Sequence, residues 1–481
     1  MSRVLALVAV VALGLASRLN AEPPPNVVFI LADDLGVNDL ACYGRKEHRT
    51  PHLDRLASQG VRLTSAYASC PVCSPTRAAL LTGQNPARLH LTTFLPGRPD
   101  CPSQKLLHPT IRQSLPAGTP TLASYLKAAG YATGCFGKWH LGGKGSRPTD
   151  FGFDTYYAGK ANTPPTETEG GKGEFDLTAM AAAFVERNRD NPFFLYLAHN
   201  SPHIPYTARP GLVEKNKAAL EPVYAAVIES LDAAVGVLLA KLDELSLTGR
   251  TVVVFTSDNG GLHVPELTHE TVTHNAPYRA GKGYLYEGGI RVPAIVRFPG
   301  RLPAGVTTDV PTITTDWLPT LLDLCGRPAV ESPDGMTVAP QLAGRAKTVS
   351  LRPLYWHLPH YTNQGSRPSG AVRLGKWKLI EHYEDGSAEL FDLSADIGET
   401  RNLAATEPAL VDQLRADLRR WRQDVKAQQN APNPGFDPGL HRNLYIDVDP
   451  SRYSAATATP AEVAKMQQWR KAMDAVVPRK K

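Results

Sequence analysis

The chain reads as an α/β protein: a large central, mostly parallel sheet flanked by helices, with a small C-terminal antiparallel sheet plus helix subdomain. Three observations predict this. Four short apolar runs, Asn26–Ala32, Ala132–Phe136, Phe193–Ala198 and Thr251–Thr256, have the unbroken apolar texture of strands buried on both faces. Helical patterns alternate with them, the arrangement that builds parallel βαβ units. After about residue 345 the texture changes to short strands separated by turns.

Taken in order, the N-terminus reads as an export signal. Arg3 precedes an apolar run from Val4 to Ala16 that is too short to span a bilayer. Cleavage is expected after Ala21, with Ser17 as the alternative site. No second stretch reads as a membrane span, so an exported, soluble protein, periplasmic or secreted, is expected. Between the strands, Thr121–Ala129 places Leu122, Tyr125 and Leu126 on one face and ends at Gly130. Glu221–Leu245 carries Val227, Leu231, Val235, Leu238 and Leu242 at helical spacing. Later, Ala371–Arg373, Trp377–Glu381 and Ala388–Phe391 read as antiparallel strands. A helix follows, with Thr406 as its cap, Pro408 just inside, and Leu410, Leu414, Leu418 and Trp421 on its apolar stripe. Four segments result: a signal peptide (1–21), a large α/β domain (22–345), a small C-terminal subdomain (346–430) and an extended tail with a short helix (431–481).

Composition excludes several classes. With 42% hydrophobic and 20% charged residues, the chain has material for a sizeable core and is not disordered. The balance of 52 basic and 46 acidic residues gives +6, without a basic run of the kind that binds nucleic acid. Six cysteines in this length do not make a disulfide scaffold. Cys70-x-x-Cys73 lacks the second ligand pair that a structural zinc site needs.

In an open α/β sheet, ligands bind at the carboxyl ends of the strands, and the polar clusters fall there. Asp33 and Asp34 follow the first strand, and Lys138 and His140 the second. His199 and His203 follow the third, and Asp258 and Asn259 the fourth. Three carboxylates and an amide are hard oxygen donors, suited to Ca²⁺ or Mg²⁺ and not to zinc.

The segment Cys73-Ser74-Pro75-Thr76-Arg77-Ala78-Ala79-Leu80-Leu81-Thr82-Gly83 resembles the signature of the sulfatase family, Cys-x-Pro-x-Arg followed by Thr-Gly. Gly137-Lys138-Trp139-His140-Leu141-Gly142, Pro202-His203-Ile204-Pro205 and Gly281-Lys282-Gly283 are similar to further segments of that family, and the likeness runs from about residue 25 to 426. The resemblance implies an alkaline-phosphatase-like fold, with 22–345 as the catalytic domain, and hydrolysis of a sulfate ester on a sulfated carbohydrate. It also implies that a formylglycine-generating maturation enzyme oxidises Cys73 to formylglycine. One hydroxyl of the hydrated aldehyde would attack sulfur; deprotonation of the other would expel sulfate. By the same likeness Arg77 holds the charged diol, Lys138 and Lys282 bind sulfate, His140 removes the proton and His203 faces the leaving alcohol. Asp33, Asp34, Asp258 and Asn259 would bind the cation. One more sulfate ligand is expected at Asn162 or Thr163. Tyr355–Tyr361 is the candidate for sugar recognition, with His360 and Arg367 as substrate-binding residues. A formylglycine-dependent phosphodiesterase or phosphonate monoester hydrolase, and a non-catalytic binder of sulfated glycan, are the alternative readings.

Overall fold

The structure, a computed structural model, describes residues 23–266, 273–330, 332–346 and 351–478. The expected signal peptide lies outside them. Eight strands form the main sheet: β1 (Asn26–Asp33), β2 (Val61–Leu63), β3 (Ala132–Gly137), β4 (Thr155–Tyr157), β5 (Phe193–Pro202), β6 (Thr251–Ser257), β7 (Ala294–Arg297) and β8 (Val306–Thr308). Their order is β8-β2-β7-β6-β1-β5-β3-β4, and only β7 runs antiparallel to its neighbours. The four strands read from the sequence are thus adjacent and parallel at the centre, and each extends one to four residues past its apolar run.

Both faces are covered, which is why these strands show no alternation. Val27, Phe29 and Leu31 of β1 face helices α2 (Cys73–Thr82), α3 (Leu122–Ala128) and α6 (Trp317–Leu324) through Ala78, Leu81, Leu122, Leu126, Trp317 and Leu321. Val28 and Ile30 face the opposite layer, built from α1 (Pro51–Ser58), α4 (Glu174–Arg187) and α5 (Pro222–Glu244). The helix α3 starts where Thr121 and Ser124 cap each other's backbone N–H groups. By length and composition α5 passes as a membrane span, which the sequence reading missed; here Ile228, Leu231, Val235, Leu238 and Leu242 bury it as a core helix.

The second sheet is antiparallel, in the order β9 (Leu354–Leu358), β10 (Ser369–Leu374), β11 (Trp377–His382), β12 (Ala388–Asp392). Helix α7 (Pro408–Asp424) covers it with Val411, Leu414 and Leu418. Thr406 is not its cap: Glu407 takes that place, and the Thr406 hydroxyl donates to the Leu403 carbonyl (3.0 Å). The tail after residue 430 carries the expected helix at greater length. It ends in a full helix, α8 (Pro460–Ala475), whose Met466, Trp469 and Met473 pack in one cluster with Ile204, Leu262 and Tyr361.

The two sheets are joined by a charge set with no exposure to water. The Lys378 ammonium, 0% exposed, sits 2.9 Å from Glu287 and 2.8 Å from Glu399. Removing a buried cation between two carboxylates leaves both uncompensated. Lys378→Met is expected to cost about 3–5 kcal/mol of unfolding free energy by urea denaturation. The half-exposed Lys376→Met should cost about 0–1 kcal/mol; equal effects would contradict this account.

Candidate active site

Because β6, β1, β5 and β3 are parallel neighbours, their carboxyl ends deliver four loops to one place. Backbone geometry turns each loop inward. Gly137 has φ +100°, and a Cβ there would lie 1.9 Å from the Ala198 carbonyl, so only glycine lets β3 hug β5 before Lys138. Asp34 is itself left-handed, with φ +66°. Helix α2 brings Cys73 as its first residue, with Arg77 one turn on.

Arg77 is the hub. Its Nε and Nη2 donate to Asp258 Oδ2 (2.9 and 2.7 Å), and its Nη1 donates to the Lys138 carbonyl (2.8 Å). Lys138 Nζ donates to Asp33 Oδ2 (2.6 Å), and Lys282 Nζ to Asp34 Oδ2 (2.7 Å). Asn259 Nδ2 donates to Asp34 Oδ1 (2.8 Å), and the Asp34 N–H to Asp258 Oδ1 (3.1 Å). Three carboxylates therefore face three cations, all buried or nearly so.

The charges do not balance evenly. Burial raises the Asp33 carboxyl, but Lys138, His203 and Arg77 outweigh it and hold the group well below the usual range. Burial and the Asp33 charge push Asp258 well above that range in spite of Arg77. Oδ1 of Asp33 and Oδ1 of Asn259 are buried without a hydrogen-bond partner. Donor atoms of Asp33, Asp34 and His203 lie within 4.8 Å of one another, as do those of Asp33, Cys73 and Asp258. Orphaned oxygens among crowded carboxylates are what a hard divalent cation requires, so Asp33, Asp34, Asp258 and Asn259 fit one.

A cavity of about 390 Å³ opens over this cluster, lined by Cys73, Lys138, His140, His203 and Lys282 among others. His140 Nε2 donates to the Leu95 carbonyl (3.0 Å), which leaves Nδ1, buried and unpartnered, as the ring's acceptor. His203 Nδ1 donates to the Ile204 carbonyl (2.7 Å), so Nε2 accepts from Lys282 (3.2 Å). His199 is fully buried in β5 and is not among the lining residues. Of the two candidates for an added ligand, Asn162 lines the cavity and accepts from Lys172 (2.8 Å), whereas Thr163 does not line it.

Two sequence candidates are not brought here. His360 is 3% exposed, bonded to Thr92 Oγ1 (2.8 Å), and absent from the cavity wall. Arg367 pairs with Glu384 (3.0 Å) beside a different cavity. The Tyr355–Tyr361 segment is spent on packing: Trp356 is fully buried and donates to the Ala68 carbonyl (2.8 Å), half-buried Tyr355 stacks on Trp421 of α7, and Tyr361 packs with Trp469 of the C-terminal helix. Its aromatic density reflects core packing. Conversely Glu266, Asn363 and Gln364 line the cavity and carried no signal, since each stands outside any recognisable pattern.

Two family models match the chain: Sulfatase over residues 25–327, and N-sulphoglucosamine sulphohydrolase, C-terminal, over 280–426. Human arylsulfatase A is 35% identical, the match covering 84% of each chain. The N-acetylgalactosamine-6-O-sulfatase of Bacteroides thetaiotaomicron is 29% identical over 81% of this chain and 91% of that one. Among solved structures, Ps i-CgsB superposes with TM-score 0.72 at 28% identity, covering 88% of this chain and 97% of its own; it has also been solved in complex with k-i-k-neocarrahexaose.

The donor set predicts a response to cations. Calcium added to chelator-treated protein is expected to raise the melting temperature, by the equivalent of about 2.7 kcal/mol at a hundredfold excess over its Kd. Asp33→Asn should blunt the response. Melting curves that ignore both Ca²⁺ and Mg²⁺ would count against a cation site.

Proposed function

Since the chain belongs to the sulfatase family and is a sulfuric ester hydrolase, we propose that it hydrolyses sulfate esters of carbohydrates with Cys73 as the matured nucleophile. The observation that carries this is the convergence in one cavity of Cys73, the ammonium groups of Lys138 and Lys282 and an acceptor histidine over a cluster of buried carboxylates. The sulfated sugars in the names of its relatives support the carbohydrate. An apolar N-terminal run after Arg3 supports export to the periplasm or beyond.

In this reading a maturation enzyme converts Cys73 to formylglycine. The hydrated aldehyde would supply one hydroxyl for attack on sulfur and another whose deprotonation releases sulfate. A calcium ion, with magnesium acceptable to the same donors, would be held by Asp33, Asp34, Asp258 and Asn259 and would supply positive charge to the sulfate oxygens. The protein's own residues do the rest. Lys138 and Lys282 present ammonium groups to the sulfate, and each is kept charged by its aspartate against the cost of burial. Arg77, bonded to Asp258 and the Lys138 carbonyl, holds the start of α2 against the strand ends. His140 Nδ1 is the proton acceptor. His203 Nε2 lies on the cavity wall beside Lys282, where the ring, once protonated at Nε2, would give that proton to the leaving oxygen. A divalent cation held there would leave the pocket with net positive charge, which suits an anionic ester.

Mass spectrometry of the tryptic peptide Leu63–Arg77 from the native host is expected to show Cys73 as the aldehyde. Cys73→Ala should abolish turnover of an aryl sulfate, and a fully active alanine variant would sink the reading.

Burial first, then the charges of Lys138 and Arg77, lower His140 to about 4, so the ring is neutral and able to accept a proton at neutral pH. Protonation therefore removes activity as pH falls: the acid limb of kcat/KM should set in below about pH 5, and His140→Ala should cost about 10²–10⁴-fold in kcat.

A further inference from the structure

The sulfate side of the cavity is lined by cations, but the wall beyond Lys282 is built on a carboxylate. Glu266 follows the β6 loop, lines the cavity and is 8% exposed. It accepts from Asn363 Nδ2 (3.2 Å) and Gln364 Nε2 (2.6 Å), both also on the wall. An ionised carboxylate has about four acceptor sites, so these two donors leave acceptor capacity for a ligand.

The wall is braced from behind. The Tyr284 hydroxyl donates to the Gln364 carbonyl (2.8 Å), and Arg98 Nη1 donates to Asn363 Oδ1 (3.3 Å). Arg470 of α8 donates to the Asn363 carbonyl. Trp469 packs so closely on Gly365 that a Cβ there would lie 2.6 Å from its ring. Two amides and a carboxylate fixed in this way form a rigid, acceptor-bearing face on which Glu266 is the ionised group, with Lys282 on its sulfate side and the Arg98 and Arg470 guanidiniums behind it.

We propose that Glu266, oriented by Asn363 and Gln364, is the specificity-determining residue for the leaving group: it accepts hydroxyl donors from a neutral sugar ring and repels a ring carrying a second anionic group. The proposal rests on the sulfatase reading and narrows its substrate class to monosulfated, otherwise neutral sugars. The physical basis is the asymmetry of a desolvated carboxylate. A sugar hydroxyl satisfies it, whereas a second sulfate or a uronate brings like charge into a poorly screened space.

The test compares N-acetylglucosamine 6-sulfate with glucosamine 2-N,6-O-disulfate, which share the scissile ester and differ in charge at position 2. Formylglycine-verified protein is expected to favour the monosulfate in kcat/KM by about 30-fold or more. Glu266→Gln should shrink that ratio about tenfold, and Glu266→Asp, which keeps the charge, should restore most of it. A merely structural role would be disturbed by both substitutions alike. Calorimetric affinities of both esters for Cys73→Ala protein, with and without Glu266→Gln, read the same preference without turnover. An unchanged ratio in Glu266→Gln, or no preference for the monosulfate, overturns the assignment. If verified protein cleaves no sulfate ester at all, the sulfatase reading falls, and the affinity ratio still decides the role of Glu266.

Discussion

The site depends on a single buried guanidinium. Arg77 ties the start of α2 to Asp258 at the end of β6 and to the Lys138 backbone after β3. Without that tie, Asp258 would be a desolvated carboxylate beside the Asp33 charge, an arrangement that proteins avoid unless every charge is paired. The pairing is bought with rigidity. The guanidinium is planar, always charged and held by three hydrogen bonds, so it fixes the helix that carries Cys73.

The sheet turns this local arrangement into a site. Four parallel strands stand side by side, each buried on both faces, so their ends cannot drift relative to one another. Side chains from residues as far apart in sequence as Asp34 and Lys282 meet within hydrogen-bond distance because those ends converge. The small second sheet adds support from a distance: Glu287, close in sequence to Lys282, is clamped between Tyr67, Arg291 and Lys378.

Much of the fold and most of the cluster were legible in the sequence, for a physical reason. Buried parallel strands must be continuously apolar, and the polar residues just past them must point out of the sheet end, so Asp33, Lys138, His203 and Asp258 declared themselves by position. Cys73 and Arg77 were legible through their segment's resemblance to the Cys-x-Pro-x-Arg signature of the family. What stayed hidden depends on long-range packing. Tyr355–Tyr361 has the composition of a sugar platform, but burial in an interface selects the same aromatic residues, and only the structure separates the two. Glu266, Asn363 and Gln364 form a wall only because distant segments meet. The tail read as extended with a short helix because α8 is sparingly apolar, yet Met466, Trp469 and Met473 suffice to dock it.

That docking has an evolutionary consequence. The family models match residues 25–426, and α8 lies beyond them at Pro460–Ala475. The groups arrayed around Cys73 belong to the matched region, whereas the brace behind Asn363 and Gln364 comes partly from outside it. Selection can therefore act on the two at different rates. Drift or exchange of the terminal helix would reshape the wall of Glu266, Asn363 and Gln364 while leaving the charge cluster around Cys73 intact.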